Sequence, residues 1–156
     1  MSAIGPVKIL IFAAITSALA VFATNGAAFA ADGHKEDASD SAPVEILAFG
    51  DSLTAGYGLP AGDGFTDQLE VWLNKNGGQN IKVINSGVSG DTSTSGRSRL
   101  DWGLSPIKDG KPDLVLLELG ANDALRGVSP KITRENIDAM VQLLTDRDIP
   151  VLILGM

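Results

Sequence analysis

From residue 44 onward, short apolar runs alternate with stretches whose apolar residues recur at helical spacing. Val44–Gly50, "VEILAFG", reads as a strand. Phe65, Leu69, Trp72 and Leu73 fall at i, i+4, i+7 and i+8, one face of a helix that closes near Asn76-Gly77-Gly78. Ile81–Gly87, "IKVINSG", is short and β-branched, a second strand. "SGRSRLDWGL" is a weaker helix that stops before Pro106. Asp113–Gly120, "DLVLLELG", is a third strand, and its near-continuous apolar run predicts burial on both faces, as in a central parallel strand. Ile137, Met140, Val141 and Leu144 return to helical spacing, with Ser129-Pro130 and Thr133 as start signals. Pro150–Met156, "PVLILGM", is a fourth strand. Trp72 and Trp102 are expected to pack against these elements. Strands alternating with helices predict an α/β fold, a three-layer α/β/α sandwich around a central parallel sheet.

The first 43 residues follow a different pattern. Lys8, the uncharged run Ile9–Ala23 and the small residues Ala28 and Ala30 have the form of a signal peptide cleaved after Ala30. A single membrane anchor is the competing reading of the same run, and the small residues favour cleavage. That implies export, to a periplasm or beyond, with no stable membrane insertion once the leader is removed. Residues 31–43, rich in small and charged side chains, read as a flexible lead-in to one domain over residues 44–156.

Composition narrows the chemistry. Among 156 residues there is no Cys, so disulfides, thiolate metal sites and a cysteine nucleophile are excluded together. The one histidine, His34, lies in the lead-in, which leaves no histidine-based metal site. The formal net charge is −7, more negative still once Lys8 leaves with the leader, and argues against nucleic acid as a partner.

In an open parallel sheet the working residues lie in loops beyond the carboxyl ends of the strands. Three loops are placed there. "GDSL" follows the first strand and sets Ser52 at a tight turn, one reading of which is an activated nucleophile. "NSGVSGDTS" follows the second, where Gly90 can offer its N–H at close range. "LGANDALRG" follows the third, where Asn122 carries a side-chain amide with two donors. Each block alone also reads as a turn or helix cap. All three in order on one rim supply two backbone N–H groups and one amide, the parts of an oxyanion hole. Asp51 and Asp123 read as residues that orient these turns and cap backbone donors. Tyr57 and Leu59 either line an acyl entrance or pack on the first helix.

These blocks, "FGDSLTAGYGL", "NSGVSGDTS" and "ELGANDALRG", resemble those of the SGNH (GDSL-type) hydrolases, and the resemblance covers residues 43–156. In wording they are similar to the blocks of periplasmic arylesterases and of acyl-CoA thioesterase I / lysophospholipase L1 enzymes. The resemblance implies the flavodoxin-like SGNH fold, Ser52 as nucleophile, and an oxyanion hole from the N–H of Ser52, the N–H of Gly90 and the amide of Asn122. It implies hydrolysis of small-molecule acyl esters or thioesters through an acyl-serine, with no metal and no organic cofactor. The family's Asp-x-x-His block has no counterpart after Asn122. The sequence is therefore read as the N-terminal two-thirds of a secreted hydrolase, truncated after the fourth strand, from which turnover is not expected by itself. A hydrolase scaffold without a base, binding an acyl or carbohydrate ligand, is the alternative.

Overall fold

The computed structural model describes residues 42–77 and 80–155. The segment read as a signal peptide, His34 and all but the end of the expected lead-in lie outside those residues, as do Gly78 and Met156. The elements run β1 (Val44–Gly50), α1 (Ser52–Ala55), α2 (Phe65–Gly77), β2 (Ile81–Gly87), α3 (Ser93–Leu104), β3 (Leu114–Glu118), α4 (Ala121–Leu125), α5 (Pro130–Asp146) and β4 (Val151–Ile153). All strands pair in parallel in one sheet of order β2-β1-β3-β4. The expected α/β fold is thus formed, and the two most buried strands, β1 and β3, lie at its centre.

β1 from Ile46 to Gly50 and β3 from Val115 to Glu118 are buried at every position. Side chains alternate between faces along a strand, so this continuous burial requires cover on both sides. On one face Leu47, Phe49, Val115 and Leu117 join Leu100 and Leu104 of α3 and Met140 and Leu144 of α5 in one apolar cluster. On the other, a side chain at Gly50 would run into Thr54 of α1, and Asn85 of β2 donates to Thr66 of α2 at 3.0 Å. Helices on both faces make the sheet a middle layer.

The local signals act as their chemistry requires. Thr92 and Ser95 form a reciprocal capping box at the start of α3. Pro130 opens α5 at a position where its missing N–H costs nothing. Three expectations are corrected. Trp72 and Trp102 are not buried: they are 61% and 68% exposed. On α2, Leu69 and Leu73 are half-buried while Phe65 is exposed, so the predicted apolar face is covered only in part. The fourth strand is shorter than the apolar run that predicted it, and its Leu152 and Ile153 are exposed.

Leu117 is fully buried between the sheet and its α3/α5 cover. Leu117→Ala is expected to lower the unfolding free energy by about 3 kcal/mol, measured by urea denaturation followed by circular dichroism.

Candidate active site

The sheet register sets the site. Gly50 of β1 lies beside Gly87 of β2 and beside Glu118 of β3, so the segments after these residues leave the sheet at one level. Gly50 is glycine because its neighbours leave no room: a Cβ there would stand 2.7 Å from the Glu118 carbonyl oxygen and would collide with Thr54 Oγ1.

In the first loop, buried Asp51 caps α1, its Oδ1 accepting from the Leu53 N–H at 3.0 Å. Ser52 is the first residue of α1 and is partly exposed. Among the described residues, neither its N–H nor its hydroxyl donates a hydrogen bond. In the second loop Gly90 takes a φ of 85°, a left-handed conformation that disfavours any side chain. Its N–H also donates to nothing among the described residues. Both donors expected of an oxyanion hole from the backbone are therefore available.

The third donor is already engaged. Asn122 Nδ2 donates to Asp51 Oδ2 and to the Asp91 carbonyl, both at 2.9 Å. Its amide ties the loop after β3 to the loops after β1 and β2, and both of its N–H groups are in use. The sequence reading supplied the donors without these partners, which lie 71 and 31 residues away.

Asp51 and Asp123 do act as organisers. Asp123, buried, accepts from the Ser93 N–H at 2.7 Å, the Ser93 hydroxyl at 2.5 Å and the Thr133 hydroxyl at 3.0 Å, binding the start of α3 to α5. Thr133 thus serves this carboxylate. Tyr57 is 78% exposed, and Leu53, Leu59 and Leu125 are exposed as well, so the loops after β1 and β3 present apolar side chains to solvent. Neither Tyr57 nor Leu59 is buried by packing on α2.

Two groups escaped the sequence reading. Arg99 donates from Nε to Asp91 Oδ2 at 2.5 Å, from Nη2 to the Gly50 carbonyl at 3.0 Å and from Nη1 to Ser86 Oγ at 3.3 Å. Its guanidinium lies 4.0 Å from the Phe49 ring centroid. A rigid fork joining three segments is a task suited to Arg, and no local pattern in the sequence marks it. The other is Glu118, which ends an apolar strand. Its Oε2 accepts from the Thr54 hydroxyl at 3.0 Å and more weakly from the Asp51 N–H at 3.4 Å. Its Oε1 is sealed from solvent without a partner among the described residues. Loss of hydration pushes the Glu118 carboxyl above the ordinary carboxylate range; the Asp51 charge adds to the rise and the Thr54 hydrogen bond opposes it. An acid closing an apolar run was the only available signal.

Among the described residues, no cluster of three or more His, Asp or Glu side chains is placed to hold a metal, and no helix is long and apolar enough to cross a membrane.

The three rim loops, which carry Ser52, left-handed Gly90 and Asn122, are thus tied together at one end of a parallel sheet. Residues 48–156 match the model of the GDSL-like lipase/acylhydrolase family, and the chain belongs to that family. It is 42% identical over 109 residues to an arylesterase of Vibrio mimicus, covering 70% of this chain and 52% of that protein. It is 38% identical over 98 residues to thioesterase 1/protease 1/lysophospholipase L1 of Escherichia coli (strain K12), covering 62% of this chain and 43% of that protein. The crystal structure of AlinE4, an SGNH-hydrolase family esterase, superposes with a TM-score of 0.70 at 46% identity, covering 74% of this chain and 60% of AlinE4. The chain spans about half the length of the curated relatives it matches.

Arg99→Lys keeps a charge for Asp91 but loses the planar fork and the face of Phe49. A loss of about 1–3 kcal/mol in unfolding free energy is expected, read by urea denaturation beside the wild type.

Proposed function

We propose that these residues supply the nucleophile and oxyanion hole of a serine hydrolase that cleaves carboxylic esters or thioesters through an acyl-serine intermediate. The observation that carries this reading is the pair of hydrogen bonds that the Asn122 amide donates to Asp51 and Asp91. It gathers three loops around Ser52 and Gly90, whose N–H groups stay unpaired among the described residues.

In the first step Ser52 Oγ attacks the substrate carbonyl carbon and its proton passes to a general base. The oxyanion that forms is held by the Ser52 and Gly90 N–H groups and by Asn122. Asn122 gives it the N–H now on the Asp91 carbonyl, because a neutral acceptor holds a donor less strongly than the Asp51 carboxylate does. The intermediate collapses with cleavage of the C–O or C–S bond, and the alcohol or thiol leaves with the proton. Water then repeats the attack and releases the acid. The general base comes from outside the described residues, within which no side chain accepts from Ser52. This chemistry requires no metal and no organic cofactor.

The substrate is a small-molecule acyl or aryl ester, or an acyl thioester. The exposed Leu53, Tyr57, Leu59 and Leu125 suit an apolar acyl or aryl group, and relatives bear the names arylesterase, thioesterase and lysophospholipase. The signal-peptide pattern of residues 1–30 supports work in a periplasm or outside the cell, with the protein free of the membrane after cleavage.

A fluorophosphonate is expected to label Ser52 in the protein expressed from its own gene, located by peptide mass spectrometry. Ser52→Ala should carry no adduct, and Asn122→Ala should be labelled about 100- to 1000-fold more slowly. A wild-type protein that takes up no label at Ser52 removes the hydrolase reading.

A further inference from the structure

We propose that Glu118 is a positioning residue for this site: kept as a neutral acid behind the Ser52 turn, it holds the Asp51–Glu118 pair to one negative charge, and so leaves Asp51 free to align Asn122. The inference rests on the hydrolase reading above and adds a residue and a pH limit to it.

The two oxygens of Glu118 are unequal. Oε2 accepts from Thr54 and from the Asp51 N–H, as a carbonyl-type oxygen does. Oε1 is buried and has no donor among the described residues. A carboxylate oxygen sealed from water without a hydrogen bond is strongly disfavoured, and a proton on Oε1 removes its charge. Asp51, one residue beyond Glu118's strand neighbour Gly50, is equally buried but well supplied: Oδ1 takes the Leu53 N–H and Oδ2 the Asn122 amide. The single charge of the pair therefore resides on Asp51.

The surroundings leave few other groups to alter this balance. From α1 the facing group is the neutral hydroxyl of Thr54. Arg99 reaches the Gly50 carbonyl from the α3 side, where Asp91 is paired with it. Asp123 is held by Ser93 and Thr133. Asp51 is the titratable group that acts on Glu118 among the described residues.

Deprotonation would put a second negative charge beside Asp51. Repulsion would push apart the carboxyls that hold the Ser52 turn and the Asn122 amide, and the oxyanion donors would lose their alignment. The sign follows from the raised acid: its share of stability is complete below the ordinary value of 4.5 and is lost as pH rises through the higher folded value.

The test uses the protein expressed from its own gene, with fluorophosphonate labelling of Ser52 followed from acidic to alkaline pH. Glu118→Gln, which cannot ionise, is expected to keep its labelling rate to higher pH than the wild type. Glu118→Ala removes the acceptor for Thr54 and the Asp51 N–H and should label about tenfold more slowly at neutral pH. An alkaline fall shared by wild type and Glu118→Gln overturns the proposal. Infrared spectroscopy reads the proton without activity: a protonated-carboxyl C=O band is expected at neutral pH and should vanish in Glu118→Gln. If that band is missing, the proposal fails even where Ser52 is labelled. If Ser52 takes no label but the band is present, the neutral acid stands and the hydrolase reading falls.

Discussion

The hydrogen bonds of the site depend on the register that sets Gly50 between Gly87 and Glu118. Side chains alternate along a strand, so a slip of one residue would turn Phe49 out of its cluster with Leu100 and Leu104 and put it in the place of Gly50. The apolar burial of β1 and β3 is what prevents that slip. Core packing and site geometry are therefore two results of one constraint. The residues that follow the strand ends inherit their relative positions from it.

Above the strand ends, buried polar groups hold the loops to one another. Arg99 links Gly50, Ser86 and Asp91; Asn122 links Asp91 and Asp51; Asp123 links Ser93 and Thr133. Each buried carboxylate here is supplied with donors, as desolvation requires. Against that background the unpartnered oxygen of Glu118 is the exception. Among the described residues the Ser52 and Gly90 N–H groups keep their capacity to donate, as the proposed oxyanion hole requires.

The fold was largely legible because its signals are local and periodic. The continuous apolar runs of β1 and β3, the helical spacing of Ile137, Met140, Val141 and Leu144, and Pro130 at a helix start each express backbone geometry within a few residues. Trp72 and Trp102 were misjudged because a large apolar ring states only a tendency to be covered. The short helices α1 and α4 lie within the chemical blocks, and their four and five residues are too few to show a period.

By itself the sequence determined the order of the strands and the longer helices, the central place of β3, and the three blocks that carry Ser52, Gly90 and Asn122. These follow from side-chain periodicity and from turn chemistry, both of which act over short stretches of chain. Only the tertiary structure decided the partners: that both N–H groups of Asn122 are engaged, that Arg99 clamps three segments, and that Glu118 is buried beside Asp51. Those contacts join residues tens of positions apart, and hydration is lost only when the sheet and its helices close over them. No local pattern encodes that loss, so the charge state of the site belongs to the fold.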